Sequence, residues 1–144
     1  MHDKVILGVL ALAVILAETG PITAAGAVAV GMPADVAKQG VSMGVSTKAH
    51  IMDEAKAKAV SDCKTVGSPQ SKALCKVVAT FSNQCAALAE DPKPGTPGFG
   101  WAIADTSQAA KDQAMANCRD TAGAKRRDAC ESGNNDTKCD GTAN

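Results

Sequence analysis

Residues 75–89 read Cys75-Lys-Val-Val-Ala-Thr-Phe81-Ser-Asn-Gln-Cys85-Ala-Ala-Leu-Ala89, and the rest of the chain is most simply arranged around them. Val77 to Thr80 is rich in β-branched side chains, and Phe81 is one of only two phenylalanines. Val, Thr and Phe suit a pleated, half-buried surface, whereas Ser82-Asn83 is turn chemistry. A second apolar run, Cys85 to Ala89, follows at once. The stretch therefore predicts a β-hairpin with a cysteine at the head of each strand. It would form the middle of a small sheet, covered by helices and stapled to them through sulfur.

The stapling matters because the interior lacks bulk. Among 144 residues there are one Trp, two Phe and no Tyr, so Ala, Val and Leu carry the apolar fraction. Apolar burial is worth about 25 cal/mol per Å², and small side chains bury little area each. A domain of this size would be thinly stabilised without cross-links. Six cysteines, at 63, 75, 85, 118, 130 and 139, can supply them. No Cys-x-x-Cys pair and no histidine at ligand spacing accompanies them, so disulfides are expected rather than a metal site. Neither metal nor cofactor is expected.

The cysteines follow a leader. Val5 to Leu16 is an unbroken apolar run of twelve, behind His2 and Lys4. That length suits a signal peptide and falls short of a bilayer span. Small residues Thr23-Ala24-Ala25-Gly26-Ala27 allow cleavage after Ala25 or after Ala27. Residues 1–25 are accordingly read as a cleaved signal peptide and 26–144 as a single exported α+β domain. The localisation that follows is periplasmic or secreted, where disulfides persist.

Along the mature chain, Gly26 to Val30 and Gly40 to Ser46 alternate as strands do, separated by a loop over 31–39. Ser46 or Thr47 would N-cap a helix to Cys63, with Ile51, Met52, Ala55, Ala59 and Cys63 on its apolar arc. Three prolines and two glycines between Glu90 and Gly98 forbid regular structure. Gly100 to Asp105 reads as a further strand. A helix from Asp105 to Ala122 follows, with Ala110, Ala114, Cys118 and Ala122 inward and Gly123 as its C-cap. The tail from Cys130 reads as a loop.

Shifting the chain by 55 residues lays Ala55-Lys-Ala-Lys-Ala-Val-Ser-Asp-Cys63 over Ala110-Lys-Asp-Gln-Ala-Met-Ala-Asn-Cys118, and Cys75 over Cys130. This suggests a pseudo-repeat over 40–90 and 99–144, two unequal strand–helix–Cys halves. Its symmetry pairs Cys63 with Cys75 and Cys118 with Cys130. Cys85 and Cys139 are then left to join the two halves.

These same stretches, with Gly100-Trp101-Ala-Ile-Ala104, resemble the domain of unknown function 4189, a family of exported bacterial proteins. The resemblance spans about Gly26 to Cys139. It implies export and a compact disulfide-bonded α+β domain, and it carries no catalytic residues to transfer. The chain departs from the family pattern at Val41 and Val45, often aromatic in relatives. It also departs at 131–136, which lacks a Val-Val strand, so a second hairpin there is left open.

Charge is balanced at fifteen basic and fifteen acidic residues, so no global field recruits nucleic acid or anionic lipid. Lys125-Arg126-Arg127 lacks interleaved aromatics and reads as a solvated loop. His50, the single histidine beyond the leader, has no nucleophile at an interpretable spacing. Gly95 to Gly100 lacks the Lys-Ser/Thr of a phosphate loop and reads as a flexible turn. Trp101 and Phe81 are candidate core or interface anchors. The expected function is a non-enzymatic module binding a protein or cell-envelope component: an inhibitor, an immunity-type factor or a secreted effector. No nucleic-acid partner and no membrane span after cleavage are expected. Two alternatives stand beside it. One is an envelope-polymer hydrolase drawing on Glu54, Glu90 or Asp105, and the other a purely structural envelope protein.

Overall fold

The computed structural model describes residues 24–133 and 136–144, so most of the leader, residues 1–23, lies outside the described residues. Among the described residues there are six strands and four helices: β1 Ala25–Gly31, α1 Val36–Gln39, β2 Ser42–Ala49, α2 Met52–Cys63, α3 Pro69–Ala73 and β3 Lys76–Phe81 come first. They are followed by β4 Cys85–Glu90, β5 Phe99–Ala104, α4 Ser107–Ala122, a 3-10 turn at Arg127–Ala129, and β6 Thr137–Cys139. The strands form two antiparallel three-stranded sheets, ordered β2-β1-β3 and β5-β4-β6. The α+β class and its disulfides are as the sequence implies.

The central hairpin is not. β3 pairs with β1, and β4 pairs with β5 and β6, so Cys75–Ala89 spans two sheets instead of folding back on itself. Ser82, Asn83 and Gln84 do make a sharp connection, with Asn83 at φ 52°. It carries the chain from one sheet to the other. Burial explains the choice. β4 is covered on both faces, with Cys85, Ala86 and Ala87 almost wholly buried, whereas β3 alternates exposed and half-buried. A strand buried on both faces belongs at a sheet's centre, and one with alternate residues in water belongs at an edge. The sheet-building segments are thus 25–81 and 85–139, and β4 opens the second one.

Alternation along the two central strands sorts side chains into three packed seams. Ala25, Ala27 and Ala29 of β1 meet Ala55, Ala59 and Cys63 of α2. Ala87 and Ala89 of β4 meet Ala110, Ala114, Cys118 and Ala122 of α4, the inner stripe expected for that helix. Between the sheets lie Val28, Val30, Phe81, Ala86 and Phe99, with Met43, Leu88, Trp101 and Ile103 packed around them. The order is helix, sheet, sheet, helix. The larger apolar groups sit between the sheets, and the helix–sheet seams are built almost wholly of alanine and cysteine.

Two glycines set those seams. A Cβ on Gly44 would run into the Ala59 carbonyl oxygen and the Cys63 nitrogen; one on Gly100 would run into the Ala114 carbonyl oxygen and the Cys118 nitrogen. Each helix therefore rests its backbone directly on a strand. Asn117 Nδ2 donates to the Trp101 carbonyl (2.9 Å) and Thr121 Oγ1 to the Phe99 carbonyl (2.8 Å), pinning α4 in place.

Several boundaries differ from expectation. β2 continues through Ser46 and Thr47, and α2 begins at Met52 behind Ile51, which supplies no side-chain cap. The strand runs on past an irregularity at Lys48, with φ 61°, to Ala49, which still pairs with Ala25, so the helix starts later. Ile51 is consequently 63% exposed instead of lying on the buried arc. Thr106, one residue past Asp105, caps α4 by accepting from the Ala109 N–H (3.2 Å). Within the expected 31–39 loop, Asp35 caps the single turn α1. The tail holds a strand after all, because β6 completes the second sheet beside β4.

Candidate functional site

The six sulfurs form three bonds: Cys63–Cys75, Cys118–Cys130 and Cys85–Cys139. The first two each tie a helix's last turn to a segment twelve residues on, with Cα–Cα distances of 6.0 and 6.1 Å. The third joins the 40–90 and 99–144 segments, as the repeat implies, yet lies within a single sheet. Cys85 and Cys139 face each other across β4 and β6 of one sheet. At the matching place in the first sheet Gly26 faces Phe81, whose ring covers the space a Cβ would take.

The residue after Cys139 adds a polar tie between the two sheets, beside the apolar layer they share. Asp140 is fully buried, and its Oδ1 accepts from the Lys48 N–H (2.6 Å) at the end of β2. Its own N–H donates to the Gln84 carbonyl (2.9 Å). Lys138 Nζ reaches the Val45 carbonyl (3.2 Å) from the same strand. The Cys85–Cys139 bond thus holds the strap that closes one sheet upon the other. Sequence reading left Asp140 in a polar tail, and no local pattern marks it.

Outside this scaffold a cleft of about 390 Å³ lies between α1 and the loop after β4. One wall is Val36 to Val41, including Lys38; the other is Glu90 to Gly98, with Phe99 at its base. The loop is pinned, contrary to the flexible turn expected of its glycines. Asp91 donates its N–H to the Gly98 carbonyl (3.0 Å), and its Oδ1 accepts from the Lys93 N–H (3.0 Å). Thr96 Oγ1 closes the turn on the Lys93 carbonyl (2.7 Å). The Asp91 carboxylate is buried, and Arg126 grips both its oxygens, Nε to Oδ2 at 2.7 Å and Nη2 to Oδ1. That forked pairing, helped by the Lys93 N–H, holds the Asp91 carboxyl down at about 2.

Arg126 was expected to be solvated along with Lys125 and Arg127. It is half-buried by this pair, while Arg127 reaches Asp120 at 3.4 Å. Thirty-five residues separate Asp91 from Arg126, and no spacing rule connects them. Glu90, the other acid of the loop, behaves oppositely. Burial, and the nearby Asp136 and Glu131 carboxylates, raise its affinity for a proton. Its backbone exchanges hydrogen bonds with Glu131 (3.0 and 2.9 Å).

The remaining candidates are dispersed. Glu54 is exposed in the first turn of α2 and accepts from the His50 N–H (3.4 Å). His50 is exposed just ahead of that helix. Asp105 is exposed and accepts from Gln84 Nε2 (3.0 Å). Cys85 pairs with Ala104 and Glu90 with Phe99, so Asp105 and Glu90 stand at opposite ends of the β4–β5 ladder. At about 3.3 Å per residue they are roughly 20 Å apart, beyond the 5–9.5 Å of a glycosidase pair. Phe81 is core, at 4% exposure, and Trp101 is half-buried at the margin of the layer between the sheets. Among the described residues no cluster of three His, Cys, Asp or Glu is placed to hold a metal ion, and no helix is long and apolar enough to cross a membrane.

Residues 25–140 match the family model described as "Domain of unknown function (DUF4189)". The chain belongs to that family. The matched span begins at the first residue of β1 and ends at Asp140, so it covers both sheets, both main helices, all six cysteines and the buried aspartate of this chain. No curated protein and no solved structure matches the chain.

Proposed function

We propose that this chain is an exported, non-enzymatic binding module for a protein or cell-envelope component, and that the cleft between α1 and the 90–98 loop is its contact surface. The pinned loop carries the reading. Three prolines, the Asp91–Arg126 fork and the Lys93–Thr96 turn hold Lys93, Pro94 and Thr96 in one arrangement before any partner arrives. A pre-organised loop loses little conformational entropy on binding, which is how a small scaffold reaches useful affinity. The three disulfides and the apolar leader support an oxidising location, periplasmic or secreted. An inhibitor, an immunity-type factor or a secreted effector would each use such a surface. The like order of elements in the two sheets supports descent from one duplicated strand-strand-helix-strand unit.

The test is affinity capture from periplasm and culture medium with the natural chain and a Lys93→Glu/Thr96→Arg variant in parallel. A stoichiometric protein retained by the first and lost by the second is the expected result. A partner held equally by both would remove the cleft, and no partner at high abundance would favour a structural role. One observation favours the hydrolase alternative: Glu90 and Asp91 are adjacent acids whose proton affinities are pushed apart, as acid–base pairs often are. Clearing of a cell-wall suspension that disappears with Glu90→Gln would establish it.

A further inference from the structure

We propose that the outer edge of β2 takes a short extended segment of a partner protein as a fourth strand of its sheet, and that this segment carries a lysine or arginine. Each three-stranded sheet has two outer strands whose far edges carry unpaired backbone groups. Folded proteins usually blunt such edges. Among the described strands β6 is only three residues long, and β3 carries the exposed Lys76 and a register shift. β5 is capped by α4. Thr121 Oγ1 accepts from the Phe99 N–H (2.9 Å) and donates to the Phe99 carbonyl (2.8 Å), while Asn117 Nδ2 donates to the Trp101 carbonyl (2.9 Å).

β2 has no such cover. The shift of 55 residues lays Asp62 over Asn117 and Val66 over Thr121. A carboxylate cannot donate to a strand carbonyl, and a valine side chain neither donates nor accepts. From Ser42 to Ser46 the strand pairs with β1 without a shift, so it is a regular ladder whose alternate residues turn both backbone groups outward. Lys138 Nζ meets the Val45 carbonyl from the other sheet (3.2 Å), which marks Val45, and with it Met43, as the outward residues. Among the described residues no side chain binds the Met43 N–H, the Met43 carbonyl or the Val45 N–H.

A groove of about 260 Å³ runs along this edge and shares no residue with the cleft at the 90–98 loop. Met43, Val45, Asp62 and Val66 lie on one side of it, and Leu88, Asp136 and Lys138 on the other. Val66 is 49% exposed, an apolar side chain that a bound segment would cover. Charge selects the occupant. Asp62 is paired with Lys58 (2.8 Å), and the Lys138 ammonium is held at the Val45 carbonyl. The Asp136 carboxylate lies close to those of Glu90 and Glu131, so the acid here exceeds the base. A cationic segment is drawn to such a groove and an acidic one repelled. A second copy docked edge to edge would bring the same carboxylates together, which disfavours self-pairing. Main-chain hydrogen bonds would hold the segment, and the groove would read its side chains.

Amide hydrogen exchange on the oxidised full chain gives the first test. The Met43 and Val45 amides should exchange faster than those of Gly44 and Ser46, and faster than the Phe99 amide that Thr121 caps. A displayed library of random dodecapeptides is then selected on the same protein, and the enriched sequence is synthesised and titrated. The expected peptide sets lysine or arginine among apolar residues and slows the Met43 and Val45 amides. Asp62→Asn should weaken it about tenfold, because the charge is lost and the new amide can donate to the Val45 carbonyl. Lys138→Met should tighten it, because it frees that carbonyl and removes a cation. Slow Met43 and Val45 amides in the free chain overturn the proposal. So do an empty selection, acidic peptides, peptides that protect another surface, and self-association that protects these amides without any peptide.

Discussion

Adding one methyl group at Gly100 should unseat α4. The new Cβ would meet three backbone atoms, the Ala114 carbonyl oxygen, the Cys118 nitrogen and the Asn117 carbonyl carbon. None of these can rotate aside, so the helix must lift off β5. Lifting stretches the hydrogen bonds from Asn117 to Trp101 and from Thr121 to Phe99, and opens the alanine seam along Ala110, Ala114, Cys118 and Ala122. Overpacking of this kind costs about 1–3 kcal/mol, and more where backbone rather than side chain must give. Against it stands a gain of up to about 1 kcal/mol from replacing glycine in a strand. Gly100→Ala should therefore lose at least about 1–2 kcal/mol in urea unfolding with disulfides intact. Gly44→Ala, which meets the same three atom types on Ala59, Asp62 and Cys63, should lose a similar amount. A Gly100→Ala protein as stable as the natural one would refute the account of helix–sheet contact.

Removing single disulfides should rank by the loop each closes. Cys85→Ala/Cys139→Ala, at a separation of 54, should cost about 4 kcal/mol, and either twelve-residue bridge about 3, in the chain-entropy model. Hydrogen exchange of the Lys48 amide should rise selectively in the first variant, since Asp140 loses its anchor. The Asp91 carboxyl is depressed by Arg126, so its contribution is full above the ordinary value of 3.8 and is lost as pH falls toward about 2. The melting difference between natural protein and Asp91→Asn should accordingly be large at pH 7 and close between pH 4 and pH 2. Glu90 has the opposite sign. Its raised value means stability declines as pH climbs past the ordinary 4.5, so Glu90→Gln should be slightly more stable than the natural chain at pH 7 and equal to it below pH 4.

How much of this was legible in the sequence depends on the range of the interaction. The stripe Ala110, Ala114, Cys118 and Ala122 repeats every four residues, so α4 could be read locally, as could its Gly123 end. The three disulfides followed from two copies of one spacing. The hairpin misled because Val77 to Thr80 and Cys85 to Ala89 satisfy every local rule for adjacent strands. Only β1, some fifty residues upstream, decides that they part. Asp91 and Asp140 were invisible for the same reason. Each is an ordinary polar residue in a loop until Arg126 or the Lys48 N–H, 35 and 92 residues away, is brought beside it. The α2 start was misplaced because β2 runs on through the irregularity at Lys48 to Ala49, and a positive φ leaves no signature in a lysine.

The account turns on sulfur and small-residue contact standing in for the bulky side chains this interior does without. Its most direct measurement is a pair of thermal unfolding curves, one on the oxidised protein and one in excess dithiothreitol with six free thiols verified by mass, followed through Trp101 fluorescence. Losing bridges worth about 3–4 kcal/mol each should lower the midpoint by more than about 20 °C or unfold the chain at room temperature. Superimposable curves would contradict it.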